Sequence, residues 1–364
     1  MSEWHELVTG LVSDQAGEWD RTGLLPREVV AELAGKGLLC PQVPTDYGGL
    51  AFTAAAAGEF TAHVGSLCGS LRSLMTSQGM AAWTVQRFGN EEQRAAYLSR
   101  LTSGETAGVA FSEPAAGSDL AAMTTRIETD RDTVVVDGHK VWVTGAAYAD
   151  LLVVFGRYAG GAAAVLVPAN APGVRVERVP DPLGCRAAGH ADVWLESVRL
   201  PADSLLGAGL PLSFVVTSVL SHGRLSVAWG CVGILRACLA ATARHASTRE
   251  QFGRRLADHQ LVARHLAELL VAEQAATRVC EHASRCWDAN TPELVSAAIL
   301  AKHLAAGNAA SSAAAAVQVL GSAGARDGGV VARAYRDAKL MEIIEGSSEI
   351  CQLALAEQAL ANWS

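Results

Sequence analysis

The hydrophobic pattern of this chain changes period twice, and no other feature restricts its fold as strongly. Up to about residue 104, apolar side chains recur at helical spacing, as in "REVVAELAGKGLL" and "NEEQRAAYLSRLTSG", with a Pro/Gly loop, "PQVPTDYGGL", between them. From about 105 to 210 the spacing shortens to that of strands: "LLVVFGRY", "AAAVLVPA", "GVRVERV" and "ADVWLESVRLP" are short runs bounded by turn residues. In the same region "DTVVVDGHKVWVTG" reads as two alternating runs joined at Asp137-Gly138, the signal of a hairpin. Beyond about 211 helical spacing returns in "RLSVAWGCVGILRACLAATARHAS", "HQLVARHLAELLVAEQAATRVCEHAS" and "PELVSAAILAKHLAAGNAASSAAAAVQVLG". The pattern predicts an α+β chain, mainly α, in three units: a helical N-terminal domain (1–104), a middle antiparallel β domain (105–210) and a C-terminal helical bundle (211–364). A site on such a chain falls most naturally where the three units meet.

Composition narrows the functional classes. Half of the 364 residues are hydrophobic and only 18% are charged, which is the balance of a folded protein with more than one ordinary core. The formal net charge of −8 leaves no basic excess to neutralise phosphates, so nucleic acid is excluded as the main partner. Eight cysteines occur without a CxxC pair or a histidine cluster at zinc spacing, which points to buried reduced thiols and no metal site. The N-terminal "MSEWHELVTG" lacks the apolar core of a secretion signal, and no apolar run reaches membrane-spanning length. A soluble, cytoplasmic protein is expected. The alanine tract 304–316 looks like a low-complexity linker, but helix propensity and its small side chains predict a buried, closely packed helix.

Five segments carry groups suited to chemistry. In "VAFSEPAAGSDL" (109–120) an apolar strand runs into a glycine loop whose backbone N–H groups suit an anion or pyrophosphate; a plain turn capped by Ser118 or Asp119 is the alternative. On strand 139–144 simple alternation puts Lys140, Trp142 and Thr144 on one face, where Trp142 and Thr144 suit a planar ring system or an ordinary half-buried sheet surface. "STREQFGRRLADHQ" (247–260) offers Arg249 for a phosphate and Phe252 for an apolar or aromatic group, or is a charged helix end stopped by Gly253. "QVLGSAG" (318–324) permits close backbone approach, or caps a helix. In "MEIIEGSSEI" (341–350), Glu345 follows two isoleucines and precedes Gly346-Ser347. It is either a solvated acid at a helix start or a base held in a poorly solvated place, with Ile343 and Ile344 raising its pKa toward neutrality.

In this order, and over nearly the whole chain, these segments resemble the acyl-CoA dehydrogenase family of flavoenzymes. The resemblance implies a helical N-terminal domain, a middle β domain and a C-terminal four-helix bundle, with FAD as cofactor and an acyl-CoA or acyl-carrier-protein thioester as substrate. By position it implies that Phe111 and Ser112 line the flavin, Gly117 and Ser118 hold the pyrophosphate, and Ser118 also touches substrate. Trp142 and Thr144 then meet the isoalloxazine, Ser347 and Glu349 lie beside the cofactor, and Glu345 is the catalytic base. Arg249, Phe252, Gln318 and Gly321 match positions that bind the adenine half of FAD across a subunit interface, so a homodimer or homotetramer is implied. Some members carry the base immediately before an arginine; here that arginine is Arg224, assigned to substrate binding, and its predecessor is Gly223, which cannot be a base. The family's usual Tyr before the base is Ile344, placed in the substrate pocket, while Ser347, Ser322 and Gly145 stand for its Thr, second Gly and Asn. Activity is expected as α-proton abstraction with β-hydride transfer to flavin, the electrons passing to a transfer partner or to oxygen. One branch of the family oxidises a hydroxymalonyl-semialdehyde-type substrate on acyl-carrier protein for polyketide extender units, and a flavin oxidase or monooxygenase on the same fold is the further alternative.

Overall fold

A computed structural model describes residues 2–363. The helical N-terminal part comprises α1 (Ser2–Val12), α2 (Ala16–Thr22), α3 (Arg27–Gly35), α4 (Ala54–Leu67), α5 (Gly69–Phe88) and α6 (Glu91–Thr102). Local sequence sets the starts: Thr53 accepts the Ala56 N–H at the head of α4, and Asn90 and Gln93 form a reciprocal capping box at the head of α6. Between α4 and α5 the chain is extended at Cys68 (φ −152°), and Gly69 follows because a Cβ there would stand 2.3 Å from the Asp337 carboxylate. α5 is buried along almost its whole length, so it forms the keel between the other two units.

The middle part comprises β1 (Ala107–Ala110), β2 (Arg126–Asp130), β3 (Thr133–Val143), β4 (Leu151–Tyr158), β5 (Gly161–Pro168), β6 (Val174–Arg178), β7 (Ala191–Pro201) and β8 (Leu205–Leu210). They form one sheet in the order β6-β7-β3-β2-β4-β5-β8, with β1 also on β4. Pairing is antiparallel except where β1 and the end of β2 run parallel to β4. The expected hairpin at Asp137-Gly138 does not form. β3 runs straight through both residues with a register shift against β7, Asp137 accepts the Ser197 N–H, and Gly138 lies so close to Thr125 that a Cβ would meet its hydroxyl at 2.3 Å. Turn chemistry was here serving a bulge inside a long strand.

The C-terminal part comprises α7 (Leu212–Thr248), a small hairpin of β9 (Glu250–Gln251) and β10 (Arg254–Arg255), then α8 (Gln260–Asp288), α9 (Leu294–Leu320), α10 (Val330–Met341) and α11 (Ser348–Trp363). α7 through α10 pack as a bundle, with α11 against α9. The alanine tract is a packed helix as expected. Ala297, Ala301, Ala305, Ala309, Ala313 and Ala316 are buried, four or three residues apart, and let α9 lie close against α7 and α8. One expectation is corrected: α7 is long and apolar enough by composition to cross a membrane, but most of its apolar stretch is buried among α4, α5, α8 and α9, as in a core helix. All eight cysteines are buried and unpaired.

Candidate active site

Between α10 and α11 the chain turns sharply, with Glu345 at φ 56° and Gly346 at φ 92°. A left-handed glutamate is strained and persists only when its surroundings hold it. Two buried cations do so: Arg224 Nε donates to the Glu345 carbonyl at 3.0 Å, and Lys302 Nζ donates to the carbonyls of Gly346 and Glu342. The turn aims the Glu345 carboxylate at Gly223 on α7, where a Cβ would stand 2.3 Å from Oε2 and 2.7 Å from Met80 Sδ. The residue keeps some exposure, but Oε2 is buried and without a hydrogen-bond partner among the described residues. Burial pushes the carboxyl up from 4.5 to about 7, outweighing the pull of Arg224, Lys302 and Arg72 in the other direction. Among the described residues the Glu345 amide also has no acceptor.

The shielding differs from what the flanking residues suggested. Ile343 is 54% exposed and protects nothing, while half-buried Ile344 packs against the α7–α9 core. The cover comes instead from Gly223 and Met80 on the long helices, because the left-handed turn directs the side chain across to them. Arg224, expected to touch substrate, is buried with its Nε on the Glu345 carbonyl. Lys302 was missed altogether: a single cation in an alanine-rich helix carries no local signal, and only the fold brings it under the turn.

A second surface faces the same region from the sheet. Across from Asp192 of β7, β3 bulges: Lys140 pairs with Val193 and Val143 with Ala191, so Val141 and Trp142 share one opposing residue. Trp142 is left at φ 56° with its N–H on Asp192 and 51% of its surface exposed, while Lys140 is fully buried. The two therefore do not share a face, which corrects the alternation expected for this strand. Thr144 Oγ1 lies 3.2 Å from His190 Nδ1, and the Thr144 carbonyl accepts from Ser77 of α5 at 2.9 Å. Burial, then Arg72 and Arg178, push His190 down to about 4, so it is neutral, and its Nε2 is buried without a partner among the described residues. Ser77 and Met80 lie one turn apart on α5, which ties Thr144 and Glu345 to the same helix.

Next to the bulge runs the 111–120 loop, fixed from beneath. Lys140 Nζ donates to Glu113 at 2.8 Å and to the Phe111 carbonyl at 3.0 Å, and Ser112 accepts from Val141 N–H at 2.9 Å. The Phe111 ring is buried and stacked on Phe155 at 4.0 Å, so it serves the core, and only its backbone belongs to the loop. Gly117 and Ser118 are exposed, their amides have no acceptor among the described residues, and a Cβ on Gly117 would meet nothing within 4 Å. Free amides at a glycine, an exposed indole face, a hydroxyl and an orphaned imidazole nitrogen suit a large planar cofactor with a phosphate tail. On the far side Ser347 caps α11, accepting from Ile350 N–H at 3.4 Å, and exposed Glu349 is held below the usual carboxylate range by its bond to Ser347.

Four candidate residues lie elsewhere. Arg249 caps the C-terminal end of α7, 26 residues from Gly223, which is about 39 Å along the helix. Phe252, 95% exposed, and Gly253 form the β9–β10 turn with φ 54° and 74°, so Gly253 shapes a hairpin and does not stop a helix. Gln318 and Gly321 lie at the end of α9, also remote from the Glu345 turn. Beside the site, a cavity of about 130 Å³ opens between α4, α5 and α7, with Gln42, Thr61, Trp83, His222, Ser226 and Trp229 among its walls.

Known proteins share this sequence pattern and fold. The sequence models of the acyl-CoA dehydrogenase N-terminal, middle and C-terminal domains match residues 2–105, 108–198 and 213–360. The chain is 33% identical to the probable acyl-CoA dehydrogenase YngJ of Bacillus subtilis (strain 168), over 96% of this chain and 94% of that protein. It is 31% identical to the mitochondrial short-chain specific acyl-CoA dehydrogenase of Homo sapiens, over 96% of this chain and 86% of that one. The solved structure of FkbI, for biosynthesis of the methoxymalonyl extender unit of the Fk520 polyketide immunosuppressant, superposes with a TM-score of 0.95. It is 62% identical and covers 98% of this chain and 99% of that one.

Proposed function

We propose that this chain, which belongs to the acyl-CoA dehydrogenase family, uses Glu345 as the base in oxidising a short acyl group carried by an acyl-carrier protein. As a member of that family it is an FAD-dependent oxidoreductase acting on acyl thioesters. The observation that carries the reading is the buried, unpartnered Oε2 of Glu345, held near neutral pKa by burial and aimed into the seam between α5 and α7. A base poised there takes a proton at neutral pH without first being stripped from a hydrogen-bond partner. FAD, when bound, accepts the hydride released by the substrate.

The chain's own residues divide the remaining work. Trp142, Thr144 and Ser112 flank the ring system, Gly117 and Ser118 offer amides to the pyrophosphate, and Ser347 and Glu349 stand beside it. The free Glu345 amide offers a donor to the thioester oxygen, where negative charge develops as the α-proton leaves. Ile344 and Ser118 border the substrate, and Phe111 contributes backbone only. Arg249, Phe252, Gln318 and Gly321, too far from Glu345 to serve its cofactor, bind the adenine half belonging to a second subunit, so the enzyme is at least a dimer. Buried free thiols fit a cytoplasmic enzyme, and the electrons leave to a transfer flavoprotein or to oxygen.

The 62% identity to FkbI favours one form of the reaction, oxidation of a hydrated β-aldehyde on the carrier protein. The O–H proton then passes to Glu345 as hydride leaves the same carbon, a C=O bond forms, and the product is a β-carboxylic acid. Anaerobic titration with acyl-CoA and acyl-carrier-protein thioesters tests the reading. The flavin absorbance should bleach with a short acyl-carrier-protein substrate, and Glu345→Gln should retain FAD but slow bleaching roughly 10²–10⁴-fold. A protein that takes up no FAD, or a variant that bleaches at the wild-type rate, would end it. Peroxide release or an oxygenated product under air would move it to oxidase or monooxygenase chemistry.

A further inference from the structure

A close-packed interior keeps few voids larger than a water molecule, so the cavity between α4, α5 and α7 is an exception that needs a reason. It measures about 130 Å³, near the roughly 150 Å³ that admits a benzene ring. It is not the seam that holds Glu345. The two long helices meet along a line in which Gly230 faces Arg72, the Ser226 and Thr76 hydroxyls are 2.8 Å apart, and a Cβ on Gly79 would stand 2.7 Å from His222 Cε1. Met80 and Gly223 shelter the Glu345 carboxylate beside that line. The cavity walls Met75 and Gln86 lie about 120–140° round α5 from Met80, and Leu225 and Trp229 lie about 120–160° round α7 from Gly223. Neither Glu345 nor Trp142 lines it.

The walls have used their donors and kept their acceptors. The indole N–H of Trp83 is bonded to the Ser218 carbonyl at 3.1 Å, and that of Trp229 to Ser284 Oγ at 3.0 Å, so both rings bring π surface. Thr61 donates to the Ala57 carbonyl and Gln42 Nε2 to the Gly79 carbonyl, which leaves both side-chain oxygens open. Gln86 Oε1 and His222 Nδ1 are buried without a partner among the described residues. Burial pushes His222 down to about 4, so its imidazole is neutral and offers one acceptor nitrogen. Against these stand only neutral N–H groups, on Trp287, Gln86 and His222. No lysine or arginine lines the cavity, and its one formal charge is Asp288, exposed at the mouth. Asp288 Oδ1 accepts the Ala54 N–H at 2.8 Å, and among the described residues it forms no ion pair.

We propose that this cavity is a binding site for a small organic ammonium ion, a protonated amine on an apolar or aromatic body. Ammonium N–H groups supply the donors that the walls lack, aromatic faces attract a cation, and Asp288 provides the counter-charge. Trp83 and Trp287, whose ring centres are 4.9 Å apart, and Phe52 cover the apolar body. Anions are rejected because nothing in the wall is positive. The site lies across the α5–α7 contact line from the base, so its ligand binds independently of Glu345.

The test is calorimetric titration of oxidised holoenzyme with benzylammonium, with benzyl alcohol, which has the same shape without the charge, and with benzoate. The wild type should bind benzylammonium at least fivefold more tightly than the alcohol, and benzoate not measurably. Asp288→Asn, which keeps an oxygen for the Ala54 N–H, should bring the two affinities within about twofold of each other. Ala57→Phe, which fills the cavity, should abolish both while the flavin spectrum is retained, and Glu345→Gln should change neither. Equal wild-type affinities, no benzylammonium binding, or benzoate bound as tightly overturn the assignment. So does an unchanged preference in Asp288→Asn, unchanged binding in Ala57→Phe, or a loss of binding in Glu345→Gln, which would move the ligand into the seam. The wild-type series decides the matter even if the phenylalanine variant does not fold.

Discussion

Glu113 and Glu345 are both carboxylates taken out of water, and they have opposite fates. Burial works against the charge of Glu113, but Lys140, Thr125 and Thr124 donate to it, and together they pull its carboxyl down to about 2. Glu345 has no donor on Oε2 among the described residues, and burial takes its carboxyl up to about 7 although three cations lie near. Charge nearby is therefore not what separates them; direct hydrogen bonds are. The satisfied carboxylate is architecture, since it fastens the 111–125 segment to β3 beneath the Gly117–Ser118 loop. The orphaned one is free to change protonation state, which is what a base requires.

The largest effect should come from breaking the satisfied pair. Lys140→Met leaves a buried carboxylate without its cation and should lower the unfolding free energy by roughly 3–5 kcal/mol in urea denaturation. Adding Glu113→Gln should recover most of that loss. A single variant as stable as the wild type would show that Glu113 is not held as the contrast requires.

Glu345→Gln should act in the opposite direction. Its folded pKa lies above the ordinary 4.5, so the unfolded chain gives up its proton first as pH rises. Stability is then lost between about 4.5 and 7, and the whole cost is present above 7. At pH 8, with FAD bound, Glu345→Gln should be more stable than wild type by roughly 2–3 kcal/mol, the gain disappearing near pH 4. For Glu113, whose pKa is depressed, stability is present above 4.5 and falls as pH drops toward about 2. Two glutamate substitutions with the same pH profile would erase the distinction between the sites.

Much of this was legible in the sequence because it is local. The change of period placed the three layers, and Glu345, Trp142, Thr144 and the Gly117–Ser118 loop stand in recognisable strings. What was not legible depends on pairing or on long-range approach. The Asp137-Gly138 dipeptide looks like a turn until β7 is known to pair with both halves of β3. The Trp142 bulge needs Asp192, fifty residues away, to accept its N–H. Lys302 and Arg72 are cations buried within their helices, and their meaning lies in which carbonyls, sulfurs and glycines the fold brings to them. Ile343 shows the reverse error: a hydrophobic neighbour in sequence that the left-handed turn at Glu345 leaves in solvent.

Gly223 offers the finest test of the same contrast. It occupies the position where some relatives carry their base, and here its missing Cβ is what admits the Glu345 carboxylate from another segment. Gly223→Ala would put a methyl group 2.3 Å from Oε2 and 2.7 Å from Met80 Sδ, both far ends of flexible side chains. The fold can yield there, so unfolding free energy should change by no more than about 1 kcal/mol. The Glu345 carboxylate cannot yield without moving about 1 Å, and, with Glu345 as the proposed base, misplacement on that scale should slow flavin bleaching roughly tenfold to a hundredfold. Because the displaced carboxylate is pushed toward water, the pH at which bleaching reaches half its maximum should also fall below about 7, toward the ordinary range. An alanine variant with wild-type rate and pH profile would mean that the enclosure at Gly223 does not set the properties of Glu345. The contrast with Glu113 would then rest on hydrogen bonding alone.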